Sequence, residues 1–140
     1  MLTNSRTHRI EWSECDPAGI VFYPRYFELF DTSTTRLFEK ATGMSAAQLF
    51  KHYDVIGYPL VDARARFVLP LAFSDDITIE TEVAEFRRSS FEMRHRLMKG
   101  GELAVEGFET RVWVGRHPDD PGRMKSQPIP QDIIAKFSAG

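Results

Sequence analysis

Residues 24–43, P-R-Y-F-E-L-F-D-T-S-T-T-R-L-F-E-K-A-T-G, form the longest stretch of the chain with helical periodicity. Proline is favoured in the first turn of a helix, and glycine often follows the last turn. The spacing predicts one helix of about 18 residues, or about 27 Å at the rise of an α-helix. One face of this helix must be buried, because apolar and small side chains recur there every three or four residues: Phe27, Phe30, Thr34, Leu37, Phe38 and Ala41.

Two shorter helices are also predicted. Ser45 and Gln48 form a capping-box pattern, which indicates a helix that continues through about Tyr53. Residues 117–130 are rich in proline and aspartate and are predicted to be a loop. A short terminal helix is predicted for residues 131–137.

The rest of the chain alternates apolar and polar residues with the period of a β-strand. An early strand is predicted at residues 8–13, and later strands at 61–67, 77–83, 91–97 and 103–115. The last strand is expected to use Ala104, Phe108, Val112 and Val114 as apolar positions. Short turns such as Gly100-Gly101 favour an antiparallel sheet, and a lone long helix must pack against it. The predicted fold class is therefore α+β, with one long central helix wrapped by a curved antiparallel sheet of about five strands.

Composition limits the possible partners. The chain has 140 residues, which suits one domain spanning residues 1–140. Its net charge is −2, so no electrostatic argument supports binding to nucleic acid or to a membrane. There is no apolar run of transmembrane length, and the single cysteine, Cys15, cannot form an internal disulfide. We therefore expect a cytoplasmic protein with no nucleic-acid or membrane partner.

Asp16 is the first candidate for chemistry. It precedes Pro17 in a loop directly before the long helix. An isolated Asp-Pro pair is most often only a turn. Here, however, the N-terminal amides of the helix could stabilise negative charge on a carbonyl oxygen. A nearby carboxylate could then attack that carbonyl or deprotonate a water molecule. Both interpretations remain open from the residues alone.

No competing nucleophile or metal site is evident. Cys15 has no identifiable base and is interpreted as a small packed residue. The four histidines, His8, His52, His95 and His117, lack the spacing of metal ligands. His95 alternates with apolar residues and is interpreted as a core or interface position. No metal site is therefore predicted.

Several motifs resemble one protein family. D-P-A-G-I-V-F-Y-P-R-Y at residues 16–26, I-G-Y-P-L-V at 56–61 and F-R-R-S-S-F at 86–91 are similar to the 4-hydroxybenzoyl-CoA thioesterase family of hotdog-fold proteins. The hotdog fold is a helix wrapped by an antiparallel sheet, in agreement with the pattern above. The resemblance implies hydrolysis of an acyl-CoA thioester to a free carboxylic acid and CoA. It implies no cofactor, because coenzyme A is part of the substrate.

The resemblance also assigns roles to residues. Asp16 would be the nucleophile or general base, and the backbone N–H of Tyr23 would polarise the thioester carbonyl. Asp31 would contact a hydroxyl of the acyl group, although a solvated helix aspartate is an equal alternative. Pro24 stands where the short-chain branch commonly has histidine, which favours a 4-hydroxybenzoyl-type substrate. The remaining implied substrate-binding residues are Gly19, Tyr58 and Pro59, and the implied CoA-binding residues are Arg87, Arg88, Ser89 and Ser90.

Alternative functions remain. The chain could be a short-chain or general acyl-CoA thioesterase, or a non-catalytic acyl-CoA binding module. A hotdog dehydratase is disfavoured because no histidine lies within residues 14–26. Without the resemblance, Arg87 and Arg88 are best interpreted as a solvated hairpin end. The resemblance further implies a homodimer or homotetramer with active sites at the subunit boundaries.

Overall fold

Helix α1 packs against one face of a five-stranded antiparallel sheet, as the sequence predicts. The structure, a computed structural model, describes residues 1–138. The elements in chain order are β1 (Thr3–Arg9), a 3-10 turn (Trp12–Glu14), α1 (Pro24–Thr42), α2 (Ala46–His52), β2 (Leu60–Phe67), β3 (Asp76–Phe86), β4 (Ser90–Lys99), β5 (Glu102–Val112), β6 (Val114–Arg116), β7 (Met124–Ser126) and α3 (Gln131–Ser138). The strand order in the sheet is β1-β3-β4-β5-β2, and the α+β prediction is confirmed.

The ends of the first two helices follow the predicted signals. Helix α1 begins with Pro24 and ends before Gly43, whose φ of 71° lies in the left-handed region. The Gly43 N–H donates to the Glu39 carbonyl at 2.8 Å, which satisfies one of the last carbonyls of the helix. In α2, the Ser45 hydroxyl accepts from the Gln48 N–H and the Gln48 side chain accepts from the Ser45 N–H. The predicted capping box is therefore confirmed.

The position of α1 on the sheet depends on a glycine. Gly107 lies in β5 between His95 of β4 and Ala65 of β2. The fully buried ring of Phe30 lies directly over it, since a Cβ on Gly107 would come within 2.3 Å of that ring. The same ring stacks on the His95 imidazole with centroids 4.9 Å apart. This close approach brings the middle of α1 down onto β4 and β5.

Three predictions for individual strands are wrong. The first strand is β1, Thr3–Arg9, and Trp12 instead lies in the 3-10 turn with 64% of its surface exposed. The predicted last strand is broken at Trp113 into β5 and β6, because residues 114–116 pair with β7 in a separate two-stranded sheet. The segment predicted to be entirely loop therefore contains a strand.

Of the apolar positions assigned to the last strand, Ala104 and Val114 are buried as predicted, whereas Phe108 and Val112 are not. Phe108 and Val112 are only half-buried, whereas Glu109 and Arg111 are buried. Charged side chains occupy inward positions in β5 because they bind one another and other buried polar groups. The prediction rested on hydrophobicity, and hydrophobicity does not detect paired charges.

No helix within residues 1–138 is long and apolar enough to cross a membrane.

Candidate active site

The Asp16 loop, residues 15–21, is a tight turn closed by a bridge between Cys15 and Val21. The Asp16 N–H donates to the Ile20 carbonyl at 2.9 Å, and the Gly19 N–H donates to the Asp16 carbonyl at 2.9 Å. Gly19 has a φ of +82°, which an L-residue adopts only with strain. The backbone of Asp16 is therefore fixed from both sides.

The Asp16 carboxylate is half-buried, and one of its oxygens accepts a hydrogen bond from the backbone. Its Oδ1 atom accepts a hydrogen bond from the Ala18 N–H at 2.8 Å. Among residues 1–138, no group donates to the other oxygen, Oδ2. One carboxylate oxygen thus orients the group while the other remains available to a reactant.

The start of α1 presents one free amide. The Arg25 N–H donates to the Phe22 carbonyl at 2.8 Å, and the Tyr26 N–H donates to the Tyr23 carbonyl at 3.1 Å. Pro24 has no N–H to offer. The Tyr23 N–H has no acceptor within the part of the chain that the structure describes. This amide lies at the positive end of the helix dipole, where an oxyanion would be stabilised.

An apolar cleft of about 290 Å³ adjoins this helix start. Phe67 and Val68 on one wall are 54% and 49% exposed. Tyr26, whose ring centroid lies 5.5 Å from that of Phe67, is buried, and burial raises the pKa of its phenol to about 12, so the group is neutral at physiological pH. The lining residues are Ile20, Val21, Tyr23, Tyr26, Phe67, Val68, Leu69, Pro70 and Leu71.

A second, polar cluster is buried between α1 and the sheet. The carboxylate of Glu109 accepts from the Thr34 hydroxyl at 2.6 Å and from His95 Nε2 at 2.9 Å. The other ring nitrogen of His95, Nδ1, bonds the Thr81 hydroxyl at 2.9 Å. All four of these side chains are buried, so His95 is a core residue, as the alternation indicated.

Arg111 neutralises Glu109 in this cluster. Its Nη2 atom donates to Glu109 Oε2 at 2.8 Å. Burial alone would raise the pKa of Glu109, but the hydrogen bonds from His95 and Arg111 outweigh it and lower the pKa to about 2. Burial alone would lower the pKa of Arg111, but the bonds to Glu109 and Asp31 raise it. Both groups are charged at neutral pH.

Asp31 is attached to this buried cluster from outside. Arg111 Nη2 also donates to Asp31 Oδ1 at 2.7 Å. The Asp31 side chain is 63% exposed, whereas that of Arg111 is only 5% exposed. The Asp31 carboxylate is therefore exposed to solvent, but one of its oxygens is bound by the buried guanidinium of Arg111.

Tyr58 and Pro59 lie beside Arg111. The Tyr58 carbonyl accepts from Arg111 Nη1 at 3.2 Å, and burial raises the pKa of the Tyr58 phenol to about 12. Together they border a shallow cleft of about 350 Å³, lined by Thr35, Ala46, Phe50, Ile56, Gly57, Tyr58, Pro59, Arg111 and Met124. Its lining is mainly apolar, with Arg111 as its one charged residue.

The residues implied for CoA binding lie at the β3–β4 turn. Arg87 forms ion pairs with Glu85 at 2.9 Å and with Glu92 at 3.0 Å. Arg88 is exposed, and its side chain has no ion-pair partner in residues 1–138. The carbonyl of Arg88 instead accepts the Ile129 N–H at 2.8 Å. Ser89 and Ser90 are half-buried. Of the two arginines, only Arg88 has an uncommitted charge.

The two candidate aspartates are separated within one chain. Asp16 precedes α1, whereas Asp31 lies eight residues beyond Tyr23, or about 12 Å along the helix axis. Both aspartates were predicted from the sequence, whereas Glu109 and Arg111 were not. One signal was present: Thr34 is a polar residue within an apolar helix face, and such a residue needs a buried partner.

Comparisons with known proteins find a matching family and similar sequences. A family model described as the thioesterase-like superfamily matches residues 10–137. The 4-hydroxybenzoyl-CoA thioesterase of Pseudomonas sp. strain CBS-3 is 35% identical over 131 residues, which cover 90% of this chain and 91% of that protein.

Solved structures of similar proteins share the fold. An Asp-to-Asn variant of 4-hydroxybenzoyl-CoA thioesterase, complexed with 4-hydroxybenzoyl-CoA, matches with a TM-score of 0.85 and 31% identity, covering 96% of this chain and 98% of that one. A gentisyl-coenzyme A thioesterase matches with a TM-score of 0.80 and 30% identity, covering 96% and 99%. The fold, the matched family model and the 35% identity together show that the chain belongs to the 4-hydroxybenzoyl-CoA thioesterase family of hotdog-fold thioester hydrolases, within the thioesterase-like superfamily.

Proposed function

We propose that this acyl-CoA thioesterase hydrolyses aromatic acyl-CoA thioesters of the 4-hydroxybenzoyl type, releasing the free acid and CoA. The observation that carries the proposal is the pairing of a carboxylate with an unused amide. Asp16 has one carboxylate oxygen without a donor in the loop that precedes α1, and Tyr23 has a free N–H at the start of α1. These are the two groups that hydrolysis of a carbonyl compound requires.

The proposed reaction proceeds through the thioester carbonyl, whose oxygen accepts the Tyr23 N–H. As a nucleophile, Asp16 would bond to the carbonyl carbon while the C–S bond breaks and CoA leaves as thiolate, and water would then cleave the resulting anhydride. As a general base, Asp16 would take a proton from the water that attacks the same carbon. Both routes use groups of the chain and water, so neither needs a metal or cofactor. CoA is supplied as part of the substrate.

The acyl preference is proposed from Asp31 and from the relatives. Two similar proteins are named for thioesters of hydroxylated benzoyl groups, 4-hydroxybenzoyl and gentisyl. An exposed carboxylate such as Asp31 is a hydrogen-bond acceptor for a phenolic hydroxyl. The mainly apolar lining of the two clefts suits an aromatic ring. Gly19, Pro24, Tyr58 and Pro59 are proposed to shape these clefts around the acyl group.

CoA is proposed to bind at the β3–β4 turn. The uncommitted guanidinium of Arg88 would pair with phosphate, and the Ser89 and Ser90 hydroxyls would donate to it. Arg87 would contribute less, because it is already paired with Glu85 and Glu92.

The active unit is proposed to be a homodimer or homotetramer in the cytoplasm. Strand β2 is an unpaired edge of the sheet and exposes Leu60, Val61 and Phe67. At the opposite edge, the exposed residues of β1 are polar. An apolar edge invites pairing with a second copy. Within one chain, the start of α1 and Asp31 are separated by about 12 Å along the helix. In a dimer with antiparallel helices, Asp31 of one copy would lie near the helix start of the other, so both could contact one substrate.

The test is a panel of acyl-CoA substrates assayed by release of free thiol. We expect 4-hydroxybenzoyl-CoA to be hydrolysed faster than acetyl-CoA or a long-chain acyl-CoA. Asp16→Asn should lower kcat by at least a hundredfold, whereas Asp119→Asn, a matched change on an exposed loop, should leave it unchanged. Equal rates across the panel would favour a general thioesterase, and binding without turnover by the unmodified protein would favour a non-catalytic module.

A further inference from the structure

Arg111 is held by more bonds than its ion pair with Glu109 requires. Its Nη1 atom donates to the Tyr58 carbonyl at 3.2 Å, and its Nε and Nη2 atoms donate to the two oxygens of Glu109 at 3.4 and 2.8 Å. Its Cζ atom also lies 5.5 Å from the centre of the Tyr58 ring. The guanidinium is therefore fixed by groups that are themselves buried.

The remaining bond of this guanidinium reaches the surface. Nη2 donates to Asp31 Oδ1 at 2.7 Å, and the Asp31 side chain is 63% exposed. Within residues 1–138 no group donates to Asp31 Oδ2. A rigid, buried donor thus holds one oxygen of an exposed carboxylate and leaves the other oxygen open.

We infer that Arg111 is a positioning residue that orients the Asp31 carboxylate to accept a hydrogen bond from the hydroxyl of the acyl group. Arg111 thereby contributes to the choice of hydroxylated over unsubstituted benzoyl thioesters. This inference rests on the proposed function, since it concerns the substrate of that same site.

Without Arg111, Asp31 would be an aspartate on an exposed helix face, free to change rotamer. Fixing such a side chain in advance removes an entropy cost that substrate binding would otherwise bear. The planar guanidinium suits this role because its N–H groups donate in several fixed directions at once. The N–H groups of a lysine ammonium rotate freely and do not fix a partner in the same way.

The charges of the cluster favour a neutral hydrogen-bond donor. Asp31 and Glu109 are negative and Arg111 is positive, so these three groups carry one net negative charge. An acyl group bearing a carboxylate would be repelled, whereas a phenolic hydroxyl can donate to the open oxygen of Asp31. The cluster therefore selects a donor rather than an anion.

The test is a double-mutant cycle on substrate discrimination. The quantity measured is the ratio of kcat/KM for 4-hydroxybenzoyl-CoA to kcat/KM for benzoyl-CoA. We expect Asp31→Asn to lower this ratio about tenfold, the value of one hydrogen bond to a charged group. Arg111→Lys should lower it severalfold, and the double variant should match Asp31→Asn alone, because the inferred effect of Arg111 on this ratio is exerted through Asp31.

The matched control is Arg94→Lys. Arg94 forms an ion pair with Glu106 at 2.8 Å on the sheet face opposite α1, so its replacement should leave the ratio unchanged. An unchanged ratio in Arg111→Lys would overturn the inference, as would losses that multiply in the double variant. Failure to hydrolyse either aroyl-CoA would instead overturn the proposed function.

A second test uses the unmodified protein and therefore does not depend on whether the variants fold. A crystal structure with bound 4-hydroxybenzoate should show Asp31 Oδ1 still on Arg111 and Oδ2 within hydrogen-bond distance of the phenol oxygen. If the Asp31 carboxylate has turned away from Arg111 to bind the hydroxyl, the inference is wrong even though the acyl preference stands.

Discussion

The imidazole of His95 donates to the carboxylate of Glu109 across 2.9 Å, inside the layer between α1 and the sheet. Glu109 cannot be neutral there, because His95 and Arg111 together hold its pKa at about 2. The central layer of this small protein thus contains a charged network rather than only apolar packing.

Replacing Glu109 by glutamine should destabilise the protein. The change leaves the buried guanidinium of Arg111 without its main partner, and breaking a buried ion pair typically costs about 3 kcal/mol or more. Urea unfolding at pH 7 measures this loss as a lower free energy of unfolding. Glu102→Gln, at the exposed β4–β5 turn, is the matched control and should change that energy by less than about 0.5 kcal/mol. A similarly small change in Glu109→Gln would contradict the network.

Glu109 should also make stability depend on pH. Its folded pKa of about 2 is below the ordinary value of 4.5, so its contribution is fully present above pH 4.5. That contribution is lost as pH falls from there toward 2, because protons then bind more tightly to the unfolded chain. Melting temperatures from pH 6 to pH 2.5 should fall more steeply in the unmodified protein than in Glu109→Gln. Parallel curves would show that Glu109 is not the responsible group.

Gly19→Ala should reduce activity more than its effect on stability explains. Both Gly19 and Gly43 have φ in the left-handed region, at +82° and +71°, and neither has an atom within 4 Å of an added Cβ. Alanine should therefore cost about 1 kcal/mol of backbone strain at either site. Only Gly19 shapes the Asp16 loop, so kcat should fall in Gly19→Ala and stay near normal in Gly43→Ala. Equal kcat values in the two variants would contradict this role.

Gly107→Ala should displace α1 from the sheet. The added Cβ would lie 2.3 Å from the Phe30 ring, and overpacking of this kind typically costs about 2 kcal/mol. A thermal melt measures the loss of stability. Replacing the Phe30 ring by a smaller side chain, in a Phe30→Leu, Gly107→Ala double variant, should recover part of that stability. Gly122→Ala, whose Cβ would meet only Asp120 Oδ1 at 3.5 Å, is the control.

Val61→Lys should weaken self-association. Val61 is 63% exposed on the unpaired edge of β2, and lysine on an edge strand opposes pairing with another chain. Size-exclusion chromatography with light scattering should show a smaller species, with loss of thioesterase activity. Thr7→Lys on the opposite edge, β1, should change neither. A fully active monomer of unmodified protein would contradict the proposed dimer.

Much of the fold was accessible from local patterns. The bounds of α1 follow from Pro24 and Gly43, and the cap of α2 from Ser45 and Gln48, because these signals act within one turn of chain. The break at Trp113 was not accessible, since it depends on pairing between β6 and β7, and these strands of three residues each are too short to show an alternating pattern.

Some residues of the candidate site were also predictable from the sequence, and others were not. Asp16, Tyr23 and Asp31 were identified from a contiguous motif around a helix start. Arg111 was not, because its bond to Asp31 joins residues 80 positions apart, and no local pattern encodes such a contact.

The sequence by itself determined the helix, the strand periodicity and the Asp16–Tyr23 segment, since each depends on neighbours along the chain. Only the tertiary structure decided that Glu109 and Arg111 point inward and that Asp31 is tethered. The physical reason is that a buried charge is tolerated only when its partners surround it. Those partners, Thr34, His95 and Asp31, come from other elements of the fold.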